Sequence, residues 1–188
     1  IEISEKDPDK FVDVVKSIST TFGGINLEDI KAPEAFKIEK KLIEKLDIPV
    51  MHDDQHGTAI ISAAALLNAL ELVNKKIEDV KIVVSGAGAA AVACTNLYIS
   101  FGAKRQNIVM TDSKGVINKY RDNLTDEKKY FATDRKISSL GEAMVDSDVF
   151  IGLSMANIVS EEMLSSMSKN PIVFAMANPD PEINYDKA

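Results

Sequence analysis

The sequence has little cysteine: Cys94 is the only one in 188 residues. One thiol cannot form a disulfide within the chain, so we expect a reducing compartment and predict a cytoplasmic protein. Long apolar runs are also lacking, because the longest, residues 59–67, is interrupted by Ser62 and is too short to span a bilayer. No basic leader precedes an apolar segment, so we expect no secretory signal and no membrane partner. The chain begins with Ile1 rather than methionine, which indicates processing or a piece of a longer protein.

Positively charged residues are fewer than negatively charged ones: the chain has 22 Lys and Arg and 29 Asp and Glu, which gives a net charge of −7. Nucleic acids and anionic membranes need a cationic surface, so we expect neither as the main partner. A small anionic metabolite remains compatible, because a bound divalent cation can supply the local positive charge. With 188 residues and no convincing linker, the sequence predicts a single domain over residues 1–188.

Helical periodicity alternates along the chain with short, β-branched apolar runs. Helices are predicted near residues 8–18, 32–46, 57–74, 89–101, 138–146 and 160–168, and strands near 25–27, 48–51, 80–85, 107–110, 148–151 and 172–175. The polar segment 118–136 is predicted to be a surface excursion. This alternation predicts an α/β fold with a doubly wound, mostly parallel sheet, that is, a Rossmann-type dinucleotide-binding domain.

A glycine-rich turn, residues 85–91, follows one predicted strand and precedes a predicted helix. Gly86 permits a tight turn, Gly88 lets the backbone approach a pyrophosphate, and the small Ala91 allows close helix packing. The N-terminus of the helix offers free N–H groups to phosphates. Asp112 closes the next strand, where an acid can bind the ribose hydroxyls, although it could also cap a turn or a helix. The order of these features favours a dinucleotide site.

Two carboxylate pairs, Glu28-Asp29 and Asp53-Asp54, each follow a short predicted strand. The helix between them would be the crossover of a β-α-β unit, which places both pairs at the carboxyl edge of one sheet, together with the glycine turn. Clustered carboxylates repel one another unless a cation lies between them, and Mg²⁺ or Mn²⁺ prefers such hard oxygen ligands. Each pair could equally cap a helix, and the spacing alone leaves both interpretations open.

Four further polar residues lie close to these segments. His52 and His56 have the spacing of a zinc-protease helix, but the acid between them is an aspartate and the pair is predicted to precede the helix, so we predict structural histidines. Asn178 closes a strand before Pro-Asp-Pro and could face a ligand, although a plain Asn-Pro turn explains it as well. Asn157 is a second loop amide of this kind.

Together these segments resemble the short, mainly microbial form of malic enzyme. The matching blocks follow the order of that family over nearly the whole chain: Gly-Gly-Ile-Asn-Leu-Glu28-Asp29-Ile, Pro-Val-Met-His-Asp53-Asp54-Gln-His-Gly-Thr-Ala, the turn from Gly86 to Ala91, Ile-Val-Met-Thr-Asp112-Ser-Lys-Gly, Asp-Val-Phe-Ile-Gly-Leu-Ser154, and Ala-Asn178-Pro-Asp-Pro-Glu-Ile. The resemblance implies a metal-dependent enzyme that oxidises and decarboxylates malate to pyruvate and CO2 with NAD or NADP.

The resemblance also assigns roles to residues. Glu28, Asp29 and Asp54 would bind Mg²⁺ or Mn²⁺. Asp53 would be the adjacent catalytic carboxylate that supports the substrate and its proton network, and Asn178 would contact the substrate. The residues that would contact the cofactor are Thr58, Gly86, Ala87, Gly88, Ala89, Ala90, Ala91, Asp112, Ser113 and Ser154. Asp112 suits a free 2′-hydroxyl and so favours NAD, whereas Lys114 and Lys119 could pair with the 2′-phosphate of NADP.

The chain also departs from the complete family. The lysine and tyrosine assigned as base and acid lie upstream of these residues, and a later Gly-Asn segment would follow Ala188, so we expect the middle of an enzyme that is inactive alone. Asn157 stands where relatives usually carry glycine. The resemblance further implies a homo-oligomer, a dimer or larger.

Two other functions remain open at this point. A non-catalytic nucleotide-binding module would bind nucleotide regardless of Mn²⁺ and malate. Another Rossmann dehydrogenase, of the amino-acid or folate-linked type, would leave the two carboxylate pairs without a joint role.

Overall fold

The computed structural model of the protein describes residues 1–31, 34–122 and 124–188. These residues form two compact units, Ile1–Thr58 and Ala59–Ala188. The sequence predicted a single domain, and the packing differs from that prediction. The boundary falls within one continuous helix, Asp53–Leu72, where the chain carries no linker composition that could mark it.

The first unit is built from two helices and two short strands: α1 (Pro8–Ile18), β1 (Ile25–Leu27), α2 (Glu34–Lys45) and β2 (Val50–His52). α1 starts where the Asp7 carboxylate accepts hydrogen bonds from the N–H groups of Asp9 and Lys10. The buried apolar residues that hold the unit together are Val12, Val15, Leu27, Ile38 and Leu42. The predicted helix start at residue 32 lies outside the described residues.

β1 and β2 pair in parallel, with Leu27 opposite His52. The sequence placed these strands in the same sheet as the glycine turn, but they form a two-stranded sheet of their own. The helix α3 (Asp53–Leu72) follows β2 directly and begins four residues before the predicted start at residue 57. Asp53 and Asp54 occupy its first turn, where negative side chains interact favourably with the helix dipole.

The second unit contains a five-stranded sheet in the order β5-β4-β3-β6-β7. Its strands are β3 (Ile82–Ser85), β4 (Ile108–Asp112), β5 (Gly115–Val116), β6 (Val149–Gly152) and β7 (Ile172–Ala175). β5 pairs antiparallel with β4, and the other neighbours pair in parallel. The prediction of a mostly parallel α/β sheet is therefore confirmed.

Both faces of this sheet are covered. The helices of the second unit are α4 (Ala89–Ser100), α5 (Asp126–Phe131), α6 (Leu140–Met144) and α7 (Glu161–Ser165), together with α3 from residue 59 onward. Ile82 and Val84 of β3 pack into one buried cluster, with α3 and α4 residues, whereas Val83 packs into another with Ala143 and Met144 of α6. Alternate side chains of one strand thus enter two cores, as a doubly wound sheet requires.

The segment 118–136 is more ordered than the predicted surface excursion. It contains α5, and Phe131 and Ala132 at the end of that helix are buried in the main core. These two apolar side chains anchor an otherwise polar segment. In the part of the chain that the structure describes, no helix is both long and apolar enough to cross a membrane.

Candidate functional site

The parallel strands of the second unit end side by side at what we call the carboxyl edge of the sheet. Ser85 stands opposite Thr111 in β4 and opposite Gly152 in β6, and Gly152 in turn stands opposite Ala175 in β7. Asp112 is the last residue of β4, and the segments that follow β3, β6 and β7 carry the glycine turn, Ser154 and Asn178. Ligands of open α/β sheets bind at such an edge. The structure therefore gathers most of the predicted cofactor residues and the predicted substrate residue along one edge.

The glycine turn has the backbone that its sequence predicted. Gly86 has φ +120°, and an added Cβ would lie 2.5 Å from the carbonyl oxygen of Leu153, so no other residue fits there. Its N–H donates to the carbonyl oxygen of Thr111 at 3.0 Å. Ala91 is buried, which allows α4 to pack closely.

Gly88 has a different role at the start of α4. It is the N-cap of the helix, and no atom of the described residues lies within 4 Å of the position its Cβ would take. Without a side chain to cap the helix, the first-turn N–H groups face open space, where a phosphate can accept from them. Ala87, Ala89 and Ala90 complete this half-buried turn.

Asp112 is held by two cationic side chains at the end of β4. The guanidinium of Arg121 donates to both carboxylate oxygens at 2.9 and 3.0 Å, and Lys128 Nζ donates at 2.7 Å. The N–H of Lys114 donates a fourth bond at 2.9 Å. Burial raises the pKa of Asp112, but the bonds from Arg121 and Lys128 lower it by more, so the net pKa lies well below the usual aspartate value.

Sequence reasoning missed both of these cations. It proposed the side chains of Lys114 and Lys119 instead, but Lys119 pairs with Asp134 at 2.7 Å. Arg121 and Lys128 both lie in the segment that was predicted to be a surface excursion, and α5 brings Lys128 back to β4. The sequence signal that could have identified Arg121 and Lys128 was the group of basic residues that follows Asp112. Ser113, the next predicted cofactor residue, is exposed.

The four carboxylates of the first unit lie at the ends of β1 and β2. Leu27 of β1 pairs with His52 of β2. The next residues, Glu28 and Asp53, therefore follow the ends of two neighbouring strands at the same edge of the sheet. The predicted common edge for both pairs is thus present within this unit. Asp29 has φ 57°, a conformation that is uncommon outside glycine and that concentrates at functional sites.

Among the residues that the structure describes, these carboxylates have no compensating partner. In the described residues of the first unit, Glu28, Asp29, Asp53 and Asp54 neither accept a side-chain hydrogen bond nor form an ion pair, and Asp53 alone of the four is half-buried. Gly57, one turn after Asp53, leaves room for its carboxylate, since an added Cβ would lie 2.5 Å from Asp53 Oδ1. Thr58, the predicted cofactor residue at the end of this unit, is half-buried.

The donor set suits a hard divalent cation, because all of its ligands are carboxylate oxygens. Among residues 1–31, 34–122 and 124–188, however, no group of three or more His, Cys, Asp and Glu side chains is arranged to hold a metal ion. The three predicted ligands are exposed on the surface of the first unit. Exposed carboxylates can rotate toward an added cation. The residues therefore fit the ion by their chemistry, although they do not form a ready-made cluster.

The two histidines make structural contacts, as predicted, although His56 lies on α3 rather than before it. His52 is fully buried, and its Nε2 donates to the carbonyl oxygen of Ile30 at 3.1 Å, which ties the Asp29 loop to the end of β2. His56 Nε2 lies 2.9 Å from Oε1 of the buried Glu39. The N–H of His52 also donates to that oxygen at 2.9 Å.

The remaining predicted residues lie in the loops after β6 and β7. Ser154 Oγ is 2.9 Å from Ser85 Oγ, which joins the β6 loop to the glycine turn. Asn178 is exposed and precedes a cis peptide bond to Pro179. Asn157 has φ 58°, the left-handed conformation that glycine adopts freely and asparagine tolerates, so asparagine fits the backbone at a position where the resemblance implied glycine.

Comparison with known families agrees with this geometry. Residues 55–186 match the family described as malic enzyme, NAD binding domain, and residues 2–43 match malic enzyme, N-terminal domain. The second match assigns much of the first unit to a domain that the sequence had not separated from the nucleotide-binding one.

Individual relatives carry the same name. The NADP-dependent malic enzyme of Haemophilus influenzae is 55% identical over 190 residues, which cover 100% of this chain and 25% of the relative. The NAD-dependent malic enzyme of Rhizobium meliloti is 52% identical over 184 residues, 97% of this chain and 24% of the relative. The chain thus spans about a quarter of the length of these relatives.

A solved structure is similar over the whole chain. The NAD-dependent malic enzyme of Thermotoga maritima superposes with a TM-score of 0.92 at 42% sequence identity, covering 100% of this chain and 51% of that one. The family match over residues 55–186 includes the glycine turn, Asp112 and Asn178. The chain belongs to the malic enzyme family.

Proposed function

We propose that this chain is the metal- and dinucleotide-binding part of an enzyme that oxidises and decarboxylates malate to pyruvate and CO2. Each unit supplies its own part of that chemistry. The first unit contributes the carboxylates for a divalent cation, and the second contributes the turn and the strand ends for NAD or NADP.

Glu28, Asp29 and Asp54 would hold Mg²⁺ or Mn²⁺. When bound, the cation withdraws electrons from the substrate oxygens, and the dinucleotide is the electron acceptor. Asp53 is half-buried and adjacent in sequence to the ligand Asp54. It would share a proton with the bound substrate. His52 fixes the loops that carry the ligands, through its bond to the carbonyl oxygen of Ile30.

Asn178 would donate from its side-chain amide to a carboxylate of malate. The exposed position after β7 leaves that amide accessible. At the same edge, the N–H groups at the start of α4 would bind the pyrophosphate, and Gly86 would keep the turn tight.

We also propose that NADP is the preferred dinucleotide. The sequence alone favoured NAD because a free Asp112 repels a 2′-phosphate. Arg121 and Lys128 pair with that carboxylate at the end of β4, and these two cationic groups support binding of a 2′-phosphate there. Overall similarity does not decide the choice, because relatives with similar identities bear both cofactor names.

The observation that carries the proposed function is the uncompensated carboxylate edge of β1 and β2. Neither a plain nucleotide-binding module nor an amino-acid or folate-linked dehydrogenase gives these acids a joint role. The test is Mn²⁺ affinity and malate-dependent NADP reduction in the full-length protein and in its Asp54→Asn variant. A variant with unchanged Mn²⁺ affinity would contradict the proposal.

We also propose a cellular compartment and an oligomeric state for the enzyme. Cys94 is buried and free, in keeping with a cytoplasmic protein. A homo-oligomer, a dimer or larger, follows from the family resemblance. Sedimentation of the full-length protein tests the second point.

A further inference from the structure

Glu182 is a buried acid that the proposed chemistry does not use. It is 0% exposed and follows the loop after β7. Its Oε1 accepts a hydrogen bond from the N–H of Ser154 at 2.9 Å, and its Oε2 accepts one from the N–H of Ala177 at 3.0 Å. One carboxylate therefore joins the loop that carries Ser154 to the loop that carries Asn178.

Gly152 makes room for this carboxylate. An added Cβ at that position would lie 2.3 Å from Glu182 Cδ and 2.4 and 2.7 Å from its two oxygens. Because β6 ends at Gly152, the acid lies directly against the end of a central strand. The glycine in the Gly-Leu-Ser block is thus required by Glu182, since its φ is not in the left-handed range.

Backbone bonds reinforce the connection. The N–H of Asn157 donates to the carbonyl oxygen of Pro181 at 3.0 Å, and the N–H of Val159 donates to the carbonyl oxygen of Glu182 at 3.0 Å. The segment 181–182 therefore runs along the loop after β6 and is attached to it at several points.

We infer that Glu182 is a positioning residue, which holds the Ser154 loop and the Asn178 loop in one fixed arrangement at the carboxyl edge. It acts through two backbone N–H groups rather than by touching a ligand. The assignment of dinucleotide to one loop and malate to the other rests on the proposed function. Loss of the carboxylate leaves a buried N–H unsatisfied on at least one loop, which frees that loop to move.

Asp148 provides a matched control at the other end of β6. This acid is also hydrogen-bonded in a partly buried position, by Lys75 Nζ at 2.8 Å, Ser168 Oγ at 2.6 Å and the N–H of Lys81 at 2.9 Å. It immediately precedes β6, away from the carboxyl edge. Amide substitution there should weaken the fold without altering the two loops.

The experiment uses the full-length protein and its Glu182→Gln and Asp148→Asn variants. Three quantities are measured: hydrogen exchange in peptides that contain Ser154 and Ala177, the dissociation constant of NADPH, and KM for malate. In Glu182→Gln the new amide group faces an N–H donor, so exchange should accelerate in those peptides and both constants should rise roughly tenfold. In Asp148→Asn the melting temperature should fall while both constants stay within about twofold of wild type.

Two results would overturn the inference: unchanged exchange and unchanged constants in Glu182→Gln, or equal changes in Asp148→Asn. If the wild-type protein does not turn over malate, the proposed function fails, but exchange and NADPH affinity still test the role of Glu182. If Glu182→Gln does not fold, Glu182→Asp replaces it. The shorter acid keeps the charge and reaches one loop only, so one of the two peptides should exchange faster, and equal protection of both would count against the role.

Discussion

The acids that follow β1 and β2 and the acid that ends β4 occupy similar positions, each at the carboxyl end of a parallel strand. Their surroundings are opposite. Asp112 accepts four hydrogen bonds and faces two cations, whereas Glu28, Asp29 and Asp54 have no described partner in their own unit. The same residue type at the same kind of position therefore has a different use in each unit.

The difference separates a carboxylate that the fold has already neutralised from carboxylates that have no partner among the described residues and that we propose bind a cation. A compensated acid stabilises its loop and sets the charge of the neighbouring ligand site. Uncompensated acids in a group cost free energy through repulsion, which a divalent cation relieves on binding. Four experiments test this contrast.

The largest effect is expected from Asp54→Asn in the full-length protein. Loss of a charged ligand should weaken Mn²⁺ binding and malate turnover by at least about 100-fold, because a hard cation binds an amide oxygen far less strongly than a carboxylate. Asp47→Asn, an exposed acid of the same unit, is the control and should leave both unchanged. Equal losses in the two variants would remove the distinction between the acidic edge and the general surface.

A smaller effect, on cofactor choice, is expected from Lys128→Gln. Removing this cation should shift the ratio of NADP to NAD dissociation constants toward NAD by about tenfold, because a charge-assisted bond to the 2′-phosphate is lost. Lys129→Gln is the matched control, since the neighbouring lysine pairs with Asp126 at 3.0 Å instead. Fluorescence titration of both reduced cofactors measures the ratio, and an unchanged ratio would contradict the proposed preference for NADP.

Asp112→Asn should lower the free energy of unfolding by about 2 kcal/mol, because Arg121 and Lys128 then lose their charged acceptor. The same change removes a negative charge beside the ribose, so NADP should bind at least as tightly as before. Urea denaturation and cofactor titration measure the two quantities. Asp122→Asn, at an exposed acid nearby, should change neither. Weaker NADP binding in Asp112→Asn would show that the acid itself contacts the cofactor.

The smallest effect is expected from pH. The pKa of Asp112 is lowered in the folded state, so its contribution to stability is complete above the unfolded value near 3.8 and declines as pH falls toward the lower folded pKa. The difference in unfolding free energy between wild type and Asp112→Asn should therefore shrink below about pH 4, by at most about 1.4 kcal/mol per pH unit. Denaturation of both proteins between neutral pH and pH 3 measures it, and a constant difference would contradict the ion pairing.

The glycine turn shows why part of the site was predictable. Gly86 and Ala91 act through local backbone geometry and packing, which a short run of residues specifies by itself. The strand and helix pattern was predictable for the same reason. Asp112 was identified as a strand-end acid from its place in that pattern, but its neutralisation was not foreseen.

The missed features depend on distant parts of the chain. Arg121 and Lys128 reach Asp112 because the segment that contains α5 packs against the core through Phe131 and Ala132. The rest of that segment is polar, so the sequence did not predict this packing. Glu182 meets Ser154 and Gly152 because β6 and β7, which a helix separates along the chain, are neighbours in the sheet. The division into two units inside α3 was likewise invisible, since a continuous helix carries no boundary signal.

The amino-acid sequence by itself determined most strands and helices outside residues 115–136, the glycine turn and the positions of the acidic strand ends. Local conformational preferences and apolar periodicity act over a few residues, so residues that are close in sequence specify these features. Tertiary structure alone decided which of those acids are neutralised and which have no partner among the described residues. That outcome depends on the distance between charged groups, and only the packed chain sets such distances.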